Sequence, residues 1–259
     1  MASRKRAQPE AAGSRKADVV ARDLLEQIAH GELKVSAILP TEAELAARYA
    51  VNRSVVREAI KLLEVHRLVK PVRRRGTVVL DPYASLSPEV LRAMLRGRGG
   101  RIDLAFLESL LEIRAALDVQ ICALAAERRK KSDLEAMERQ LEVMRGLSAD
   151  DDAYTEATFQ LGLLFAKATQ NPVALMLSHW NRAVASDLPH VFGVARATSG
   201  PHLEGLSMLL DRFRTRDAEQ ARALVTAFHT WASPRILAAA ALANGEPLTR
   251  VKRLKKELR

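Results

Sequence analysis

The residues of this chain best suited to specific polar contacts are arginines. Arg53 and Arg57 stand four positions apart, with Ser54 between them and Asn52 just before. Side chains at that spacing share one face of a helix. Arginine can give guanine O6 and N7 two parallel hydrogen bonds, while Ser and Asn suit phosphates or adenine. A second group, Arg73, Arg74 and Arg75, runs directly into Gly76. The chemistry implied is recognition of a polyanion; taken alone, the arginines also read as a solvated helix face and turn. Bond-making chemistry has no support: there is no Ser/His/Asp order with a nucleophile elbow, no phosphate-cradling glycine loop and no HExxH run. The acids Asp150-Asp151-Asp152 read as a helix N-terminus, where negative charge is favourable.

The flanking sequence supplies elements to position these groups. Val19, Val20, Leu24 and Ile28 recur at helical spacing from Ala17 to His30, and Gly31 ends that helix. Thr41 is a good N-cap, and Glu44 completes a capping box for a short second helix ending near Tyr49–Val51. Asn52 can cap a third helix, from about Arg53 to His66, with Val56, Ile60 and Leu63 inward and Ser54, Arg57 and Lys61 outward. Two β-rich runs, Leu68 to Val72 and Thr77 to Leu80, flank the arginine turn and predict a hairpin with a basic tip. Three helices and a hairpin within eighty residues predict a winged helix-turn-helix, over residues 17–81.

The rest divides by composition. Residues 1–16 are basic, lack periodicity and read as a disordered tail. Residues 82–100, with Pro82, Pro88 and three glycines, read as a linker with one short helix. From 101 to 245 only helical patterning is found, with candidate helices at 103–128, 132–147, 150–170, 172–192, 201–215, 217–229 and 233–243. This predicts an all-α bundle. Residues 246–259 read as a second basic tail. The fold class is therefore mostly α.

Net charge is +10. Residues 1–80 hold 16 Lys/Arg against 9 Asp/Glu, residues 81–248 hold 19 against 21, and the last eleven hold 6 against 1. A basic end module on a slightly acidic body points to a nucleic-acid reader joined to something else. A nonspecific, architectural DNA-binding protein is the alternative, and it would spread its charge along the whole chain. A single cysteine, Cys122, excludes an internal disulfide framework and fits a reducing compartment. No apolar run reaches the roughly twenty residues of a membrane span, and Met1 to Lys16 lacks the apolar region of a secretory signal. A cytoplasmic, nucleoid-associated protein with no membrane partner is expected.

The runs Ile38-Leu39-Pro40-Thr41-Glu42-Ala43-Glu44-Leu45-Ala46 and Val51-Asn52-Arg53-Ser54-Val55-Val56-Arg57-Glu58-Ala59-Ile60, followed by Leu68-Val69 and Gly76-Thr77-Val78-Val79, resemble the DNA-binding domain of GntR-family transcription regulators. The resemblance implies a homodimer, commonly a repressor, on a short palindromic operator of double-stranded DNA. It implies base contacts from Arg53 and Arg57, with Thr41, Asn52, Ser54 and the wing residues Arg73, Arg74, Arg75 and Gly76 in support. The chain departs from the family at three points. Asn52 stands where Ser or Thr is usual, Arg67 replaces a glycine before Leu68-Val69, and Arg74 replaces the first wing glycine. The two arginines should strengthen phosphate contacts and steepen salt dependence.

The C-terminal half is similar to the all-helical ligand domain of the FadR branch. The resemblance rests on Leu111-Glu112-Ile113-Arg114-Ala115-Ala116-Leu117-Asp118, Ala125-Ala126-Glu127-Arg128, Asn171-Pro172 and Asp217-Ala218-Glu219-Gln220-Ala221. Many members of that branch hold a divalent metal through an Asp, a His one turn on, and two later His. Here the corresponding positions are Glu156, Gln160, Leu206 and Phe228, with His202 one turn before Leu206 and His229 next to Phe228. Glu156, His202 and His229 together offer ligands that suit zinc or nickel, although no cofactor is required. Arg114 matches the arginine that commonly meets the ligand, and a salt bridge to Asp118 is its other reading. The effector-binding set implied is thus Arg114, Glu156, Gln160, His202 and His229. Leu161, Leu164, Phe165, Leu175, Met176, Leu177 and Trp180 read as core, or as the lining of a pocket for an acyl chain. The effector expected is a small carboxylate, fatty acid or acyl-CoA, with a metal-dependent carboxylate sensor as the alternative.

Overall fold

The computed structural model describes residues 10–147, 152–186, 188–194 and 199–246. Contacts divide the chain into two units, Met1–Gly100 and Arg101–Arg259.

In the first unit, α1 (Glu10–Ala29) is followed by α2 (Glu42–Arg48) and α3 (Arg53–Val65). The antiparallel strands β1 (Val69–Val72) and β2 (Gly76–Val79) come next. They pair Val69 with Val79 and Val72 with Gly76, and Ile38 adds an isolated bridge to Val78. The core is built from Leu24 and Ile28 of α1, Leu45 of α2, Val56, Ile60 and Leu63 of α3, and Leu68 and Val79 around the hairpin. The inward residues expected on α3 are therefore the buried ones. Tyr49, at the end of α2, ties that helix to α1. Its hydroxyl bonds to Asp23, which also accepts from Gln27 Nε2 at 2.7 Å. Burial, then the Asp23 hydrogen bond, pushes the Tyr49 hydroxyl up to about 12.

Two expectations for this unit need correction. α1 begins at Glu10, within the stretch read as a disordered tail. Glu10, Ala11, Ala12, Arg15 and Lys16 are good helix formers, and an acid at the start is favourable. Residues 1–9 lie outside the described residues. The short helix expected within the linker is α4 (Pro88–Leu95), but Val90 and Ala93 of that helix belong to the core of this unit.

The second unit consists of α5 (Leu104–Arg128), α6 (Lys131–Arg145), α7 (Asp152–Ala168), α8 (Pro172–Ala185), α9 (Pro189–Gly193), α10 (Ser199–Thr215) and α11 (Ala218–Ala243). Its core gathers Met137 and Leu141 of α6, Tyr154, Leu161 and Phe165 of α7, Phe213 of α10 and Val225 of α11. Phe165 meets Phe213 edge to face, with centroids 5.1 Å apart. α5 packs along α11, and the ends of the unit are tied together. Ile102 N–H donates to Asn244 Oδ1 at 2.7 Å, and Asn244 Nδ2 donates back to Ile102 O at 2.8 Å. Of the expected C-terminal tail, Glu246 is described and pairs with Arg101; the remainder lies outside the described residues.

Prolines decide the remaining differences. The helix expected over 172–192 is two, because Pro189 disfavours a helical residue before it and Leu188 has φ −128° and ψ 52°. The helices expected at 217–229 and 233–243 are one, running through Pro234. Ala232, Ile236 and Leu237 are buried on either side of that proline, so packing carries the helix across it. Met176 and Leu177 are not core; they are 70% and 37% exposed on α8.

Candidate nucleic-acid interface and effector cavity

The helix-turn-helix is set by its caps. Glu44 N–H donates to Thr41 Oγ1, and Thr41 N–H and hydroxyl donate to Glu44 Oε2 at 2.7 and 2.8 Å. These bonds, the side-chain one first, hold the Glu44 carboxyl below its ordinary range. Asn52 caps α3 by accepting from Val55 N–H at 3.0 Å, and Ser54 Oγ donates to the same oxygen at 2.9 Å. Thr41 and Asn52 thus use their side chains to start helices.

The arginines are placed differently. Arg53 is exposed on the first turn of α3 and makes no hydrogen bond or ion pair among the described residues. Arg57, one turn on, is also exposed but donates through Nε to Glu42 Oε2 at 2.7 Å. The sequence reading did not include Glu42. Arg73, Arg74 and Arg75 form the exposed wing tip between β1 and β2. Arg67 and Arg74, at φ 56° and 63°, take the left-handed conformation of the glycines they replace. Gly76 is needed where it stands: its φ is +103°, and a Cβ there would meet Ile38 Cγ2 at 3.0 Å.

In the second unit a cavity of about 400 Å³ opens among α5, α7, α8, α10 and α11. Its walls are mostly apolar, including Leu111, Leu161, Phe165, Leu206 and Ile236. Arg114, Asp118, Thr158, Asn181, Arg182, His202 and His229 are among its polar lining groups. Arg114 Nε lies 3.5 Å from Asp118 Oδ2, so the expected i,i+4 ion pair is present. That nitrogen is nevertheless buried without a hydrogen bond, and the guanidinium lies 5.2 Å over the Phe192 ring. Asp118 Oδ2 is also 3.1 Å from His229 Nε2. Burial, followed by Asp118, pushes the nearby Cys122 thiol up, which keeps it protonated.

The five implied effector residues are only partly brought together. Arg114, His202 and His229 line the cavity; Glu156 and Gln160 do not. Glu156 accepts from Arg182 at one oxygen and from Gln160 at the other, both at 2.7 Å. His202 Nδ1 is 2.7 Å from the Tyr154 hydroxyl. With Glu156 held by a guanidinium, His229 by Asp118 and His202 by Tyr154, these three residues do not fit a metal. Among the described residues, no three His, Cys, Asp or Glu are grouped to hold one.

Comparison with known proteins gives these two parts a common context. Residues 16–79 match the family described as bacterial regulatory proteins, gntR family, and residues 109–229 match the FCD domain. The galactonate operon transcriptional repressor of Escherichia coli is 31% identical over 165 residues, 63% of this chain and 71% of that protein. The transcriptional regulator LutR of Bacillus subtilis is 32% identical over 159 residues, 61% of this chain and 69% of its own length. This chain belongs to the GntR family. An uncharacterised HTH-type regulator of Mycobacterium tuberculosis extends the likeness, with 30% identity over 210 residues, 81% of this chain and 84% of that one. A solved structure of Lar, described as controlling the Listeria monocytogenes agr system, shares the fold. It has a TM-score of 0.56 at 18% identity and covers 90% of this chain and 98% of that one. As a GntR-family member with an FCD domain, the protein is a DNA-binding transcription regulator and not an enzyme. No helix among the described residues is long and apolar enough to cross a membrane.

Proposed function

We propose that this GntR-family regulator is a homodimeric repressor, acting in the cytoplasm, that releases a short palindromic operator when an anionic effector enters the FCD cavity. A two-fold protein matches a two-fold site, so each half-site meets one copy of α3. Arg53 and Arg57 reach base edges, Ser54 and the α3 cap support them, and Arg73, Arg74 and Arg75 grip the flanking groove or backbone. Thr41 and Gly76 hold the helix start and the wing in place.

The observation that carries the effector reading is Arg114. Arg114 lines a mostly apolar cavity, and its buried Nε makes no hydrogen bond and only a long 3.5 Å ion pair with Asp118; such a guanidinium favours an incoming carboxylate attached to an apolar body. The best fit is a small carboxylate or an acyl-type molecule. The name of the galactonate operon repressor, a relative, also points to a carboxylate. Effector and operator are coupled to the extent that the effector binds the operator-free arrangement more tightly.

Titration of the protein's own upstream DNA at ~150 mM salt tests the operator reading. A duplex retained no better than unrelated DNA would sink it. Adding a series of straight-chain carboxylates and sugar acids then tests release; if none displaces the duplex or shifts the melting temperature, the carboxylate reading fails.

A further inference from the structure

We infer that Glu42 determines the sequence selectivity of the reading head by orienting Arg57, an inference that rests on the proposed contact of Arg57 with bases. The two residues come from different elements of the helix-turn-helix. Glu42 is the first residue of α2, fixed there by the Thr41–Glu44 capping box, and Arg57 lies on α3. They meet through Arg57 Nε and Glu42 Oε2 at 2.7 Å, with side chains 61% and 37% exposed. An ion pair that open adds little to folding. Its consequence is for the geometry of the guanidinium.

Arginine carries five N–H donors in a planar fork. With Nε committed to the carboxylate, the two terminal nitrogens remain as the outward-facing pair. That end-on pair matches guanine O6 and N7. An untethered arginine on a flexible stem can instead settle on any nearby phosphate. The carboxylate beside Arg57 also repels phosphates, so the nonspecific alternative is disfavoured as the specific one is prepared. Arg53 supplies the contrast within the same helix, since it has no such partner among the described residues. The two arginines are therefore unequal: Arg57 is held in one orientation, and Arg53 is free to adjust.

The test uses the full chain and its Glu42→Gln, Glu42→Ala and Arg57→Ala variants. Each selects duplexes from a randomised pool at ~150 mM salt, and affinities for the wild-type-selected duplex and an unrelated one are measured by anisotropy. E42Q and E42A should bind the unrelated duplex more tightly and with steeper salt dependence. Their ratio of selected to unrelated affinity should fall about tenfold, with preference lost at one guanine in each half-site. In the double variant E42Q/R57A the ratio should match that of R57A alone. Both affinities falling together, with every base preference kept, would mean a merely structural role and overturns the inference. So does an unchanged ratio in E42Q when R57A has lost selectivity. If R57A itself stays fully selective, the placement of Arg57 on the bases is what fails, and the inference falls with it.

Discussion

Arg67 and Arg74 hold left-handed backbone angles that glycine adopts without steric cost. Replacing either with glycine should stabilise the first unit by about 0.5–1 kcal/mol, less whatever the freer unfolded chain takes back. Urea denaturation measures this directly. The same variants should bind DNA more weakly and with a shallower salt dependence, because strain of this kind persists where the side chain has a use. A stabilised R74G with unchanged affinity would show that the wing arginine has no role on DNA. At Arg114, substitution with Met removes the guanidinium and keeps an apolar stem. The variant should retain operator affinity and lose its response to carboxylates, read by anisotropy with and without effector. At this scale, what the sequence made legible is local. Thr41 with Glu44, Asn52 with Val55 and Arg114 with Asp118 all lie within four residues of each other, close enough for helix geometry alone to pair them. Arg57 with Glu42 and Arg182 with Glu156 are 15 and 26 residues apart. Those pairs exist only once helices have packed, so spacing could not suggest them.

At the scale of elements, capping was readable and interruption was not. The start of α2 should respond to acid. The Glu44 carboxyl is held low in the folded state, so its stabilising contribution is present above the ordinary glutamate range and is lost as pH falls through the depressed folded value. Protection factors at Glu44 and Leu45, taken relative to intrinsic exchange at each pH, should fall on acidification, and E44Q should remove that pH dependence. Thr41→Ala should cost about 1 kcal/mol at neutral pH. Proline is harder to read, since Pro189 follows a break while Pro234 sits inside α11. Burial does not separate the two, since Leu188, Val191 and Phe192 beside Pro189 are as buried as Ala232, Ile236 and Leu237 beside Pro234. Pro234→Ala should stabilise the second unit by up to about 3 kcal/mol, as seen in its thermal or urea unfolding. The basic run Arg128-Arg129-Lys130-Lys131 has a related explanation. Arg129 donates to Phe213 O and Arg214 O at the end of α10, and Arg216 donates to Glu127 O and Arg129 O at the end of α5. Arg129 of that run and Arg216 beyond it thus satisfy helix-terminal carbonyls.

For the whole molecule, the reader ends later in the chain than its sequence suggests. Composition places a linker from residue 82, because Pro82, Pro88 and the glycines at 97, 99 and 100 all punctuate that stretch. Yet α4 is fastened to the reader at both ends. His30, just after α1, places Nε2 3.1 Å from Ala93 O and 2.7 Å from Arg96 O. His66, which ends α3, places Nδ1 2.9 Å from Ser87 Oγ, and Ser87 Oγ donates to Glu89 at 2.6 Å. Burial raises the Glu89 carboxyl, but hydrogen bonds from Ser87 and its own backbone, with His66 and Arg92 nearby, outweigh it and hold that carboxyl below its ordinary range. Between these ties, Val90 and Ala93 complete the core. A fragment of residues 1–100 should therefore unfold cooperatively, whereas one ending at residue 81 should be less stable by about 2 kcal/mol, roughly the burial of one valine and one alanine. Trypsin should agree by cutting the intact protein first between Arg96 and Arg101, leaving α4 on the reader fragment. Equal stability of the two fragments, or first cleavage before α4, would return that helix to the linker.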